Sequence, residues 1–563
     1  MNLIKQKLSQ MFFFSTSVKS KKYLYIFFFF FFISGSDSLK MLIYKDYHYA
    51  IIILFATFGF LFAPIYFFRN NTKVFTVYIL LAFFISVIRY ICYYLFIIPF
   101  DDMAINLIIN SNYNEAKELL DGYKLNIIIL ALLFFFILIF VYKNIPSNIS
   151  SKSANYISIL SVFLLLGMPL LFPYNSDDSY IKNLKQEVTS SYPGSTLLVF
   201  GNVYLQYHNM NGTKKKRDEF LFNSVQDSSV KGKQIHVLII GESNRYDHWQ
   251  VNGYEKETSP LLKERKNLIS FSNVSAGAYI TELSVPLLLT GLSADNYENH
   301  LYQKGIPGIF NELGFNTFWI SNQVDRGNIL LHSTEAKNKK QLISIEQLDS
   351  TKKIFNNLDM SLVDEFKTVL KNSGGKTFVV IHTLGSHWNY SARYPNEFDY
   401  FKPSYKTMNV KPNDIKFRNV LVNSYDNSVR FTDAVIDSVI SLVNNYDAFS
   451  SVTYISDHGV DLMDDDRKLV YRNPIPSKNV AHIPFFIWYS SKFEQLFPLN
   501  ISNLKINSKR KISSENLLHT LSGMLGIYIK NRKIEKDISN INFKDNKQLI
   551  LGNSKVYNLD SLR

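Results

Sequence analysis

The sequence predicts an α-helical membrane domain of about five transmembrane helices, followed by an α/β sandwich domain. Two observations predict this division of the 563 residues. Long stretches of Phe, Leu, Ile and Tyr dominate the first third, whereas short apolar runs alternate with helical patterns after Gln234. The expected boundaries are a transmembrane domain over 1–174 with an outer-face loop over 101–124, a connector over 175–234 and a soluble domain over 235–563.

The membrane prediction rests on apolar stretches that reach, or nearly reach, the length needed to cross about 30 Å of hydrocarbon. They run over Tyr49–Phe68, Val74–Phe100, Leu125–Tyr142 and Tyr156–Phe172. A fifth stretch, Tyr23–Ile33, is short, extremely apolar and preceded by lysines. We interpret it as the first membrane helix, with the core of a signal peptide as the alternative.

Loop charges predict the orientation of these helices. With five spans, the segments 1–22, 69–73 and 143–155 share one side, and they carry Lys and Arg but no Asp or Glu. The positive-inside rule therefore places the N-terminus in the cytoplasm and everything after about residue 174 on the outer side. In the outer loop, Met103–Leu120 has apolar residues at helical spacing, which predicts an amphipathic surface helix or a solvated helix without a function.

Charge and cysteine usage narrow the class of protein. The formal net charge of +14 suits anionic lipid head groups, and no basic stripe interleaved with aromatic residues supports nucleic-acid binding. Ser195–Met210 in the connector predicts a membrane-surface helix, and the basic run Lys214–Arg217 after it is either solvated or placed against lipid phosphates. The lone Cys92 excludes an intrachain disulfide and a cysteine-rich zinc site.

The second part of the chain predicts an α/β sandwich with a mostly parallel sheet, because buried strands alternate with helices. The expected strands are Ile235–Ile240, Thr317–Ser321, Thr377–His382, Ser451–Ser456 and Ile483–Trp488. The expected helices include Asp359–Lys371, Val420–Asn444 and Ser514–Leu525. Active sites of such sheets lie beyond the carboxyl ends of the strands.

Metal-ligating side chains follow three of these strands. Glu242 follows the first, Asp457 and His458 follow the fourth, and the segment His382–His387 begins where the third ends. Each alone could be a cap, a surface acid or part of a turn. Together they predict a site for Zn²⁺ or Mn²⁺, because carboxylate oxygens and imidazole nitrogens are the ligands that these metals accept without cysteine.

The segment Ala276–Leu292 supplies hydroxyl groups from Thr281, Ser284 and Thr290. A metal-bound hydroxyl ionises more readily and becomes a nucleophile near neutral pH. A helix that begins here would also stabilise phosphate charge. The residue pattern leaves Thr281 and Ser284 open as the nucleophile, and both could be ordinary helix caps.

Several motifs, taken in their order along the chain, resemble the lipid A phosphoethanolamine transferases of the alkaline-phosphatase/sulfatase superfamily. They are Gly241-Glu242-Ser243, Thr281 before Ser284-Val285-Pro286, His382 to His387, and Ser456-Asp457-His458-Gly459. The outer loop Ser111–Leu120 is similar to the family's substrate-side loop. The resemblance covers nearly the whole chain. It implies a sulfatase-like sandwich in the periplasm, attached to a multi-pass domain in the bacterial inner membrane.

The resemblance also implies roles for individual residues. Glu242, Asp457 and His458 would bind the principal zinc ion together with Thr281, the nucleophile that becomes modified with phosphoethanolamine. Contacts to the substrates would come from His387, His382, Asn322, Gln323, Ser111, Glu115 and Arg472. Where better-known members of the family have cysteines flanking the nucleophile, this chain has Gly277 and Leu287. A histidine common after the Asp-His pair is missing, so Arg472 or His482 would take its place.

The implied reaction moves phosphoethanolamine from phosphatidylethanolamine to lipid A or the lipopolysaccharide core through a phospho-threonine intermediate, in a monomer. One alternative is a glycerol-phosphate transferase of the lipoteichoic-acid-synthase type, which shares the fold and the membrane domain. A second is a sulfatase-like hydrolase, but Ser284-Val285-Pro286-Leu287-Leu288 lacks the arginine of the sulfatase pattern. A third is a membrane receptor or assembly protein built on an inactive enzyme fold.

Overall fold

The computed structural model divides the chain into two compact units, and the chain passes from the first to the second after His208. The described residues are 47–95, 105, 128–129, 132, 135–136, 139, 150–171, 179–192, 194–325, 327–342, 358–408, 410, 414–471, 476–552 and 555–562. The predicted helix Tyr23–Ile33 and, apart from Ile105, the predicted helix Met103–Leu120 lie outside these residues. So do Ser111, Glu115 and Arg472.

Helices form the described part of the first unit. The helices of the described chain are α1 Tyr47–Phe62, α2 Thr72–Leu95, α3 Ser151–Leu171, α4 Tyr180–Ser190, α5 Gly194–Asp218, α6 Pro260–Glu264, α7 Thr281–Thr290, α8 Ile306–Glu312, α9 Gly327–Ser333, α10 Met360–Asn372, α11 Arg418–Asn444, α12 Lys478–Ala481, α13 Ser491–Leu496, α14 Pro498–Asn507 and α15 Asn516–Met524. In the part of the chain that the structure describes, no helix is both long and apolar enough to cross a membrane.

Close packing between α1 and α3 holds the first unit together. A Cβ atom on Gly59 would lie 2.8 Å from the carbonyl oxygen of Ser161, so the two helices approach too closely for a larger residue. Arg89 of α2 donates hydrogen bonds of 2.9 Å to the hydroxyls of Ser195 and Thr196, at the start of α5. These contacts pack α1 against α3 and join α2 to the first turn of α5.

The second unit is built on a seven-stranded sheet. The strands of the described chain are β1 Val225–Gln226, β2 Gln234–Gly241, β3 Leu268–Phe271, β4 Val274–Ser275, β5 Asn316–Ser321, β6 Asn338–Gln341, β7 Lys376–His382, β8 Phe449–Ser456, β9 Asp461–Leu462, β10 Val470–Tyr471, β11 Phe485–Tyr489, β12 Ile512–Ser513, β13 Ile527–Tyr528, β14 Leu549–Leu551 and β15 Val556–Asn558. The sheet order is β3-β11-β8-β2-β7-β5-β6, and β11 alone in this sheet runs antiparallel to its neighbours.

Both faces of the sheet are covered. In β2, Leu238 and Ile240 point into one apolar core with α7, α8 and α15, whereas Val237 and Ile239 point into a second core with α10 and α11. This burial explains why β2 and β8 are almost continuously apolar. The α/β sandwich predicted from the sequence is therefore confirmed, and each of the strands and helices named for it lies within two residues of its expected bounds.

Candidate metal centre

The central strands bring the metal-ligating residues together. Strands β2 and β8 are parallel neighbours with Gly241 paired to Ser456, so Glu242 and Asp457 leave the sheet side by side. The Asp457 N–H donates a hydrogen bond of 3.0 Å to the carbonyl oxygen of Gly241, which extends the ladder by one residue. Chain direction and register alone thus place both carboxylates at the same edge of the sheet.

Glu242, Asp457 and His458 form a compact buried cluster. One ligand atom from each lies within 4.8 Å of the others. His458 Nε2 is 3.6 Å from Glu242 Oε1 and 3.5 Å from Asp457 Oδ2, and the three side chains are fully buried. Within the described chain this is the only such group of three or more residues that could hold a metal ion.

The surrounding hydrogen bonds orient the three ligands toward a common point. Asp457 Oδ1 accepts hydrogen bonds from the N–H groups of Ser243 and His458, at 3.1 and 2.7 Å. Asp457 Oδ2 is buried and has no hydrogen-bond partner in the described part of the chain. His458 Nδ1–H donates to the Gly459 carbonyl oxygen at 2.7 Å, so that Nε2 is the nitrogen that faces the carboxylates. An orphaned carboxylate oxygen and a fixed imidazole fit a divalent cation.

The electrostatics of the cluster favour a bound cation as well. Burial, and then the neighbouring charge of Glu242, raise the pKa of the Asp457 carboxyl well above its usual range. Two carboxylates in a dry site repel each other unless a proton or a cation lies between them. A divalent ion would balance both charges.

The hydroxyl of Thr281 lies against this cluster. Thr281 is the first residue of α7, and its Oγ1 lies 2.9 Å from Glu242 Oε2 and 3.3 Å from His458 Nε2. Ser284, one turn later, donates instead to the carbonyl oxygen of Asp457 at 2.6 Å. Thr290 bonds the carbonyl oxygen of Pro286 inside the helix. Of the three hydroxyls, Thr281 is therefore the one in contact with the candidate ligands.

Two polar residues after β5 take different positions. Gln323 Nε2 donates to Glu242 Oε2 at 3.1 Å and to the Thr383 carbonyl oxygen at 2.7 Å, so it borders the cluster. Asn322 Nδ2 donates to Asp359 Oδ1 at 2.9 Å. Asp359 also accepts the N–H groups of Leu384 and Gly385, and Asn322 thus supports the loop that follows β7.

His382 is the last residue of β7, and His387 lies in the loop that follows. His382 is buried, with its Nδ1 3.6 Å from Asp325 Oδ1 and its ring edge-on to Trp319. His387 Nδ1 bonds the Trp388 carbonyl oxygen at 2.8 Å. The later His482 directs Nε2 to the Ser272 carbonyl oxygen at 2.9 Å.

The structure reveals supporting residues that the sequence motifs did not single out. Ser243 has a left-handed backbone with φ of 60°, and its Oγ donates to Glu242 Oε1 at 2.5 Å. The Asp359 carboxylate accepts hydrogen bonds from three donors, which lie in two loops. A carboxylate at a predicted helix start was visible in the sequence, but nothing there signalled that it ties the ends of β5 and β7 together.

Comparisons with known proteins identify relatives of the kind that the sequence motifs indicated. The chain is 27% identical over 502 residues to the phosphoethanolamine transferase EptC of Escherichia coli O18:K1:H7, covering 86% of this chain and 85% of the relative. It is 32% identical over 302 residues to the Kdo(2)-lipid A phosphoethanolamine 7''-transferase of Escherichia coli K12, covering 52% and 51% of the two chains. The resemblance that the motifs indicated is thereby confirmed.

Solved structures share the fold. The zinc complex of the C-terminal periplasmic domain of EptC from Escherichia coli matches with a TM-score of 0.54 and 25% identity, over 61% of this chain and 96% of that domain. The integral membrane lipooligosaccharide phosphoethanolamine transferase A from Neisseria meningitidis matches in fold with a TM-score of 0.69 and 22% identity, over 91% and 97% of the two chains. The sulfatase family matches residues 234–527, just over half of the sequence, and the chain therefore belongs to the sulfatase family.

Proposed function

We propose that this chain is a metal-dependent transferase that moves phosphoethanolamine from phosphatidylethanolamine to lipid A or the lipopolysaccharide core. The observation that carries this proposal is the Thr281 hydroxyl, placed at the start of a helix and in contact with Glu242 and His458. A nucleophile in that position suits phosphoryl transfer, because the helix N-terminus and a cation both favour the charge of a phosphate. The similarity to EptC over most of both chains supports the same reaction.

The proposed reaction has two displacements. Thr281 Oγ1 gives its proton to Glu242 Oε2 and attacks the phosphorus of the donor, the bond to the diacylglycerol oxygen breaks, and phosphoethanolamine remains on Thr281. An acceptor hydroxyl then gives its proton to His387 and attacks the same phosphorus, and the released Thr281 oxygen takes its proton back from Glu242. Glu242 Oε2 holds the Thr281 hydroxyl in place through its hydrogen bond. We assign His387 the proton that the leaving oxygen needs.

We further propose that the metal is zinc, held by Glu242, Asp457, His458 and Thr281. Two carboxylates, an imidazole and a hydroxyl are a donor set that zinc accepts, and a related EptC domain was solved as a zinc complex. Bound zinc would lower the pKa of the Thr281 hydroxyl and offset the charge of the phosphate.

We also propose that residues 1–174 lie in the bacterial inner membrane, that 175–234 connect, and that 235–563 act in the periplasm. The bias of Lys and Arg to one side of the apolar stretches supports this orientation. The helices of the first unit expose large apolar side chains, including Leu81, Phe163 and Leu170 at 60%, 59% and 68%, which suits a lipid environment. By resemblance, Ser111, Glu115 and Arg472 remain proposed substrate contacts of a monomer.

Mass spectrometry of lipid A and core oligosaccharide tests the function. Cells that express the wild-type chain should show a phosphoethanolamine mass increment, and Thr281→Ala should lower it by on the order of a thousandfold because the nucleophile is lost. Thr290→Ala is the matched control, since it removes from the same helix a hydroxyl that donates to the Pro286 carbonyl oxygen and lies outside the candidate ligand cluster. A full increment with Thr281→Ala, or none from a well-expressed wild type, would overturn the proposal.

A further inference from the structure

The carboxylate next to the proposed nucleophile has no cationic partner among the described residues. Glu282 directly follows Thr281 and is half-buried. Its Oε1 accepts a hydrogen bond of 2.7 Å from the Asn328 N–H. No described residue forms a hydrogen bond to its Oε2 or an ion pair with its carboxylate.

Polar groups of Asn328 and Tyr297 lie beside Glu282. Tyr297 OH accepts a hydrogen bond of 2.9 Å from Asn328 Nδ2 and lies 3.5 Å from the Glu282 carbonyl oxygen. Gln323, five residues before Asn328 in the chain, donates a hydrogen bond of 3.1 Å to Glu242. Thr281 thus contacts Glu242 of the candidate metal cluster, and the next residue in α7 is a second acidic residue, Glu282.

Glu242 and Glu282 differ in the positive charge that could offset their carboxylates. Glu242 belongs to the cluster that suits a divalent cation. Glu282 has one backbone N–H, and a partly buried carboxylate gains from a cationic partner. The transferred group would carry such a cation, because an ammonium ends its short O–C–C–N arm. Glu282 is the residue after Thr281 in α7, and their Cα atoms are about 3.8 Å apart, so its side chain starts close to the group that Thr281 would carry.

We propose that Glu282 binds the ammonium of phosphoethanolamine and thereby selects the donor lipid, an inference that rests on the proposed function. A donor with an uncharged head group leaves Glu282 without a partner, so the same residue discriminates against it. The competing role is a purely structural one, in which Glu282 only caps the start of α9 through Asn328.

Donor selectivity tests the inference. The full chain in vesicles is assayed with phosphatidylethanolamine and with its analogue in which a hydroxyl replaces the ammonium, and kcat/KM is measured for each. Glu282→Gln should lower the preference for phosphatidylethanolamine by about tenfold or more, through loss on that donor alone. Glu298→Gln, the same change at an exposed neighbouring position, should leave the preference unaltered.

Each outcome assigns one role. An equal loss on both donors, or no loss, makes Glu282 a structural cap and overturns the inference. Failure of the wild-type chain to use phosphatidylethanolamine overturns the proposed function instead. Should Glu282→Gln be recovered unfolded, Glu282→Asp decides: its shorter carboxylate should lower the preference partially, and an unaltered preference contradicts ammonium binding.

Discussion

Gly385 shows how closely the loop after β7 approaches a candidate metal ligand, Glu242. Its φ is +47°, in the left-handed region, and a Cβ there would lie 2.7 Å from the carbonyl oxygen of Glu242 and 3.0 Å from its nitrogen. The next residue, Ser386, donates its N–H to the same carbonyl oxygen at 2.9 Å. The loop that carries His387 therefore packs directly on the backbone of a candidate ligand.

We expect Gly385→Ala to displace Glu242 and to lower both the zinc content and the transfer activity, by about tenfold or more, because backbone atoms cannot yield to the added methyl group. Zinc per protein is measured by elemental analysis of the purified chain, and transfer by the lipid assay. Gly374→Ala is the control, since a Cβ there meets nothing within 4 Å. Full zinc content with full activity in Gly385→Ala would contradict the packing argument.

The candidate metal ligands could be predicted from the sequence because each of them follows a predicted strand. Glu242, Asp457 and His458 follow apolar runs, and parallel strands bring such positions to one edge. The left-handed conformation of Ser243 and the close approach at Gly385 could not be predicted, because both depend on contacts with segments distant in the sequence. The residue pattern could not decide between Thr281 and Ser284 for the same reason. Only the packing of α7 directs the Thr281 hydroxyl to Glu242 and the Ser284 hydroxyl to the Asp457 backbone.

At the scale of elements, the central strand β2 holds a buried histidine. His236 is 2% exposed, and its Nδ1 lies 3.0 Å from Ser451 Oγ. Its ring contacts those of Phe310, Phe315 and Phe449. Burial among these rings lowers the pKa of His236 to about 3.

This burial predicts loss of stability in acid. The folded pKa lies below the ordinary value of 6.5, so the unfolded chain binds the proton first, and stability falls as pH drops from 6.5 toward 3. The loss should be about 2 kcal/mol near pH 5. His236→Leu should flatten the dependence of the melting temperature on pH. Phe271→Leu, the control, alters the same core at a ring that packs on Phe485, and it should lower the melting temperature equally at each pH. An unchanged slope in His236→Leu would refute the argument.

The sequence predicted the interior strands better than the edges of the sheet. Strands β2, β7 and β8 are buried on both faces, which produces continuous apolar runs. The edge strand β6 reads Asn-Lys-Lys-Gln and pairs only with β5. Its pairing depends on the neighbouring backbone, and no apolar signal marks it.

At the scale of the whole molecule, Arg217 anchors the last turn of α5 in the second unit. It is 4% exposed and donates to the carbonyl oxygens of His300, Gln303 and Leu331, and it forms an ion pair with Glu335. Glu335 accepts the Gly305 N–H as well. Arg217 and Glu335 therefore join the segment around residues 300–305 to the end of α9.

We expect a shortened chain that begins at Asn209 to fold by itself, as the related periplasmic domain of EptC does in its crystal structure. In that chain, Arg217→Ala should lower the free energy of unfolding by about 3 kcal/mol, because Glu335 would lose its buried partner. Lys215→Ala changes an exposed charge in the same turn and should have little effect. Equal melting temperatures for the two variants would show that Arg217 does not stabilise the unit.

The pairing of β2 with β8 has a consequence for how the protein is made. Ser243 and Asp457, which share a hydrogen bond at the site, are 214 residues apart in the chain. During synthesis, Glu242 and Thr281 emerge long before Asp457 and His458, which follow β8. The complete set of candidate ligands therefore does not exist until His458 has been translated. A metal ion that needs all of them would bind only after that point.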